Sequence, residues 1–180
     1  MWKTIAVVCG LGGAAWADGC PVAPDVTQDQ TAVLEGLQAA PNYTAARGLT
    51  ARLWELWLEA PDEASQRMLD EGMAAQRTAN YEAAEARLNA LVGYCPFYAE
   101  GYNQRAFVAY LRGDYLAALP DLDAALEINP GHVAALAGKA LTLMKLGREA
   151  EGQQALRGAL ALNPWLPERG LLTSPEGEDL

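Results

Sequence analysis

Few residues in this sequence could do chemistry. The chain has one histidine, His132, and acid–base or nucleophilic catalysis would need at least one further group held against it. No cysteine and no cluster of acids lies near it in the sequence. Metal-ligand spacing is missing as well, since His132 has no partner four residues away and Cys20 and Cys95 have no second pair. The glycines between Gly10 and Gly13 follow no strand and make no phosphate loop. Acid pairs such as Glu82 and Glu85 fall at helical spacing, as on a solvated helix face. These absences point away from an enzyme and from any cofactor or metal, and toward a chain that works by binding.

Composition narrows the partner. With 51% hydrophobic and 20% charged residues over 180 positions, the chain can bury a core of ordinary domain size. Its net charge of −10, with no basic stripe, disfavours nucleic acid and anionic membranes. The first residues form a separate unit: Lys3, an apolar run from Ile5 to Ala15, then Ala15-Trp16-Ala17 at cleavage-site spacing. This pattern predicts a Sec-type signal peptide over 1–17, cut between Ala17 and Asp18. The run is too short to span a bilayer comfortably, and no later segment reaches that length, so no integral membrane segment is expected after cleavage. Cleavage removes Cys9 and Lys3, leaving twelve basic residues against 23 acidic.

Cys20 and Cys95 then form an even pair in an oxidising compartment, for which a disulfide is the economical reading. A buried free thiol at Cys95 and a lipidated Cys20 are the alternatives.

The elements that would position all these residues follow from a repeat. Pro96, Pro130 and Pro164 are 34 residues apart, each after an apolar helical stretch. Gly113 and Gly147 share one register between them, with Ala79 in the earliest copy. A left-handed C-terminal cap is expected there. Asn80 and Asp114 follow as helix N-caps, whereas Arg148 is a poor one. Pro120 falls inside a predicted helix, where it predicts a kink.

Gly72, Tyr81, Ala84 and Pro96, then Ala106, Gly113-Asp114-Tyr115, Ala118, Ala125 and Pro130, then Ala140, Gly147, Ala159 and Pro164 resemble the signature of tetratricopeptide repeats. The middle copy matches best; Glu149 and Gly152 depart from the pattern in the third. The resemblance implies an all-α solenoid of antiparallel helix pairs wound into a right-handed superhelix. Its repeats would cover 65–98, 99–132 and 133–166. A segment at 18–27 and a degenerate helix pair at 28–61 precede them, with Trp54 and Trp57 covering the first repeat as cap or core aromatics. The C-terminal cap and acidic tail occupy 167–180, and Trp165 and Leu166 at the end of the third repeat join Leu171 and Leu172 in a short closing helix. The family also suggests an ion pair within the middle repeat, from Arg105 to Asp121 and Asp123.

The same resemblance implies a concave groove lined by the first helix of each repeat. Its residues here would be Leu69, Met73 and Gln76, Asn103, Phe107 and Tyr110, and Leu141 and Met144. Relatives that grip a C-terminal carboxylate use basic residues and Asn at positions held here by Leu69, Met73, Gln104, Ala134 and Gly138, so that mode is not expected. The apolar lining suits a partner's amphipathic helix or extended segment, with Asn103 available to a peptide backbone. The chain's own termini are the competing occupants. The Ala- and Leu-rich composition with a signal resembles exported repeat proteins of Gram-negative, alphaproteobacterial type. Together these imply a periplasmic protein-interaction adaptor or scaffold; the alternative is an envelope-complex assembly factor, possibly anchored through Cys20.

Overall fold

The computed structural model describes residues 19–173; the predicted signal peptide and the acidic tail beyond Thr173 lie outside them. Among the described residues there are eight α-helices, and no strand is formed. The predicted repeats become three antiparallel pairs: α3 (Glu63–Arg77) with α4 (Tyr81–Tyr94), α5 (Ala99–Leu111) with α6 (Tyr115–Ile128), and α7 (Val133–Lys145) with α8 (Glu149–Leu162). Each pair stacks on the next, α4 against α5 and α6 against α7. First helices also approach one another, α3 to α5 and α5 to α7. They therefore lie on the inner, tighter side of the superhelix.

Small residues set how closely the helices of a pair pack. A Cβ added at Gly72 would sit 2.9 Å from the Leu88 side chain, and one at Gly152 would sit 2.7 Å from Met144. Leu69, Ala84, Leu88 and Leu91 fill the first pair, and Ala106, Ala118, Leu122 and Ala125 the second.

The turn inside each pair uses the left-handed conformation: Gly113 has φ +79° and Gly147 +74°, and Ala79 is driven to +57° at the same register. The helices that follow start as expected, with Asn80 accepting from the Ala83 amide and Asp114 from that of Ala117, while Arg148 caps nothing and instead pairs with Glu151. Helix α6 runs on through Pro120.

The predicted N-terminal pair exists as α1 (Thr27–Ala39) and α2 (Tyr43–Trp57). It does not stack ahead of the first repeat, as sequence reasoning expected. α1 packs on α8 at the far end of the solenoid. Leu34, Leu37, Leu53 and Trp57 share one buried cluster with Val133 and Ala137 of α7 and with Leu166. The reason is area: the third repeat ends the stack with an uncovered apolar face, and the hairpin is what covers it. Downstream, the closing element is a 3-10 turn, Pro167–Leu171. Trp165 and Leu166 join the cluster, whereas Leu171 and Leu172 stay exposed.

The return from α2 to α3 is locked by a capping box, Asp62 accepting from the Ser65 amide at 2.8 Å and the Ser65 hydroxyl from the Asp62 amide at 3.0 Å. The Tyr94 hydroxyl donates to the same carboxylate at 2.8 Å. These bonds hold the Asp62 carboxyl below the ordinary carboxylate range, the Ser65 amide contributing most. Cys20 is joined to Cys95 in a disulfide, with their Cα atoms 5.1 Å apart and a separation of 75 positions in sequence.

Replacing Ala79 by glycine relieves the left-handed backbone, and urea denaturation should show a gain of up to about 1 kcal/mol, offset in part by the freer unfolded chain. The double change Cys20→Ser, Cys95→Ser frees a long loop in the unfolded state. It should lower stability by about 4 kcal/mol in the same measurement, and a loss below about 1 kcal/mol would contradict the loop-closure account.

Candidate partner-binding face

Each first helix offers its inner face at four register positions, and the structure divides them into two halves. The half near the helix N-termini is closed. Leu69 is fully buried in the core of the first pair, so it is not groove lining. Asn103 is also buried, and its amide donates to Glu100 at 3.1 Å, so it is not available to a peptide backbone. Ala137, at the same register in α7, lies under α1 and α2. Sequence reasoning left open whether the chain's own termini occupy the groove; the N-terminal hairpin occupies this half.

The half near the helix C-termini is open. Phe107 is 45% exposed, and Leu111 one turn further on is also exposed. Met73 and Leu141, at the register of Phe107 in the neighbouring repeats, are partly exposed, as is Gln76. Tyr110 leans on its own repeat, its ring edge-to-face with Tyr115 at 5.3 Å. Met144 does the same, filling the space above Gly152 on α8. The two halves differ because the hairpin reaches only the first turns of α5 and α7.

The closed half is held by a polar network that the sequence did not reveal. His132 ends the turn before α7, and its Nδ1 accepts from the Ala135 amide at 3.2 Å, capping the helix. An accepting Nδ1 puts the ring proton on Nε2, which donates to Glu100 Oε2 at 2.8 Å. Glu100 takes a further bond from Gln104 at 2.6 Å. Both side chains are 1% exposed, and three donors on Glu100 together with a bond at each ring nitrogen of His132 offset the burial. Both ring nitrogens of His132 are engaged in these bonds. Among the described residues, no three His, Cys, Asp or Glu side chains gather where they could hold a metal ion.

The hairpin closes over this network. The Trp57 ring stacks on His132 with centroids 4.1 Å apart, and its carbonyl accepts from the Tyr98 hydroxyl at 2.6 Å. Its indole N–H donates to Gln30 Oε1 at 2.6 Å. Gln30 in turn exchanges two bonds with Asn129, at 2.9 and 2.8 Å. Further along, Gln38 donates to the Ala161 carbonyl and Trp165 to that of Leu37. One signal could have exposed this joint: Cys95, Asn129 and Asn163 share a register before the three prolines, and the first two hold the N-terminal arm. Burial against Glu100 raises the Tyr98 hydroxyl far above its ordinary value, desolvation contributing most.

The predicted ion pair in the middle repeat forms with one of its two acids. Arg105 grips Asp121 through two bonds of 2.7 and 2.6 Å and also reaches Asn89 on α4. Hydrogen bonding to Asp121 raises the guanidinium above its ordinary value. Asp123 instead pairs with Lys139. These contacts stitch four successive helices, α4 to α7, together on a face away from Phe107.

Phased helix pairs, left-handed turn residues and an inner face of first helices define a tetratricopeptide-type helical solenoid. Residues 109–165 match the family model described as tetratricopeptide repeat. Over 62 residues, 34% of this chain, the sequence is 34% identical to a TPR repeat-containing protein of Rhizobium etli; the match spans 30% of that relative's length. Among solved structures, the TPR domain of Arabidopsis OM64 is similar with a TM-score of 0.59 and 24% identity, covering 61% of this chain and 91% of that one. The TPR2B domain of yeast Sti1, in a complex with pHsp70, gives a TM-score of 0.57 at 18% identity, covering 62% and 91%. The first TPR of Spaghetti (RPAP3), bound to the HSP90 peptide SRMEEVD, gives 0.59 at 16%, covering 61% and 86%.

The joint can be tested without touching the repeats. A Cβ at Gly131 would collide with the Gln30 amide nitrogen. Gly131→Ala should therefore break the Gln30–Asn129 pairing and cost about 1–3 kcal/mol. Hydrogen exchange should quicken in α1 and α2 while α3 to α6 keep their protection; uniform quickening would mean that the hairpin is not a separate docked unit.

Proposed function

We propose that this chain is a non-enzymatic protein-interaction module that holds a helix or an extended apolar segment of a partner protein across the open half of its concave face. The observation that carries the reading is Phe107, a large aromatic left 45% exposed at the centre of the inner face. Met73, Leu141 and Leu111 extend the apolar character on either side of it. Apolar anchors standing out of a rigid helical surface are how a groove takes up an amphipathic segment.

The peptide-bound relatives do not transfer their ligand. A peptide such as SRMEEVD, which the RPAP3 domain binds, is acidic near its end. The positions where a carboxylate would need cations hold Leu69, Met73, Gln104, Ala134 and Gly138 here; Leu69 is buried in the core and Gln104 is already committed to Glu100. The reading is therefore an apolar grip in place of a carboxylate clamp.

The same proposal places the protein in the periplasm, as an adaptor or scaffold. The leader-like residues 1–17 support this, and so does the Cys20–Cys95 bond, which requires an oxidising compartment to persist. No helix among the described residues is long and apolar enough to cross a membrane. Anchoring through an acylated Cys20 loses its basis, because a sulfur bonded to Cys95 cannot also carry a lipid.

The test is cross-linking and affinity capture from periplasmic extract with the full mature chain, wild type against Phe107→Ala. Partner recovery should fall by about tenfold, the effect of removing one buried anchor. Circular dichroism should stay unchanged, since the side chain is half exposed in the free protein. An identical partner list at identical yield would refute the proposal.

A further inference from the structure

A second recessed surface lies away from Phe107, along the row of turns that join one repeat to the next. The N-terminal arm crosses these turns without sealing against them, leaving a cleft of about 710 Å³ between α1, the end of α2 and the turns at 97–100 and 128–132. Its volume falls within the range that takes up several side chains of a ligand.

Two properties of the cleft are not accounted for by folding. The first is apolar exposure at its margin. Val22 is 95% exposed, Phe97 78% and Ile128 37%, and all three border this one cleft. Phe97 follows the proline of the first repeat turn and has no packing role to justify a bare aromatic ring. Large apolar side chains gathered at the rim of one recess mark an interaction site more than scattered single ones do. The second is charge. Asp25, Glu35 and Glu59 stand at the margin, Glu100 lies in the floor, and no lysine or arginine lines the cleft. The Thr27 hydroxyl and amide hold the Asp25 carboxyl below the ordinary range.

These two properties select the occupant. A second copy of this chain, at net charge −10, would bring like charge to a carboxylate rim. The chain's own residues 174–180 carry Glu176, Glu178 and Asp179 and no basic side chain. We infer that the cleft along the inter-repeat turns is a second docking site, distinct from the concave groove, for a cationic amphipathic segment of another protein. Apolar side chains of that segment enter between Val22, Phe97 and Ile128, and its lysines or arginines meet Asp25, Glu35 and Glu59. The Cys20–Cys95 bond belongs to this site as well as to the fold, because it pins the strand of chain that carries Val22 and Asp25 against the first turn.

The experiment uses the mature, oxidised chain and three fluorescein-labelled synthetic peptides: an amphipathic helix of leucine and lysine, its counterpart with glutamate for lysine, and a lysine–serine peptide of equal charge. Fluorescence anisotropy should show binding of the leucine–lysine peptide, with the other two at least about tenfold weaker. The double change Phe97→Ser, Ile128→Ser should weaken the leucine–lysine peptide about tenfold, and Glu59→Lys should weaken it independently; both sites are exposed, and retained thermal melting confirms the fold. Equal binding of the lysine–serine or leucine–glutamate peptide would overturn the proposal. So would unchanged affinity in the Phe97→Ser, Ile128→Ser chain, or loss of the peptide on Phe107→Ala, which would seat it in the concave groove instead.

Discussion

His132 stands at the joint between a stack of helix pairs and the hairpin folded against it, and its three contacts divide that work. Nδ1 starts α7, Nε2 ties α7 to Glu100 of the preceding repeat, and the ring face carries Trp57 of the hairpin. A buried carboxylate is costly to desolvate, and it is tolerated here because three donors converge on it. Remove that convergence and the core would hold an unanswered charge beneath the hairpin. The hairpin is thus held by directional polar contacts as well as by apolar packing.

One register carries part of the attachment. The residue before the repeat proline is Cys95, then Asn129, then Asn163. Cys95 bonds Cys20 covalently, Asn129 pairs with Gln30, and Asn163 folds its own turn by accepting from the Trp165 amide. The arm is fastened where the turns recur, because only there does a solenoid present the same backbone geometry at regular intervals. Between these fastenings the arm stands off the turns, and the acidic cleft is the space that results.

The hairpin also decides how much of the inner face a partner could reach. By covering the first turns of α7 it removes Ala137 from the surface, and with Asn103 buried against Glu100 this leaves Phe107 as the exposed centre of the remainder. Half a groove is a shorter and more apolar site than the family pattern by itself implies. Binding and stability are therefore coupled in this fold: the same helices that hide the end of the stack set the length of the face that remains.

The repeat was legible in the sequence because its causes are local. A period of 34 residues, small residues where helices meet, left-handed glycines and side-chain caps each act within one helix pair, so Gly113, Asp114 and Pro130 announce their structure from position alone. The pairing of Cys20 with Cys95 was legible from the cysteine count once residues 1–17 are read as a leader. The position of α1 and α2 was not, since periodicity marks a helix as amphipathic without saying which apolar surface receives it. Leu69 and Asn103 were expected to line the groove and instead lie beneath it, for the same reason. Glu100 and His132, and likewise Gln30 and Asn129, meet across long stretches of chain, with no local signal in either partner. The sequence by itself determined the repeating unit and its count; the tertiary structure decided what covers its end, because burial depends on which faces meet in space and not on the pattern within any one of them.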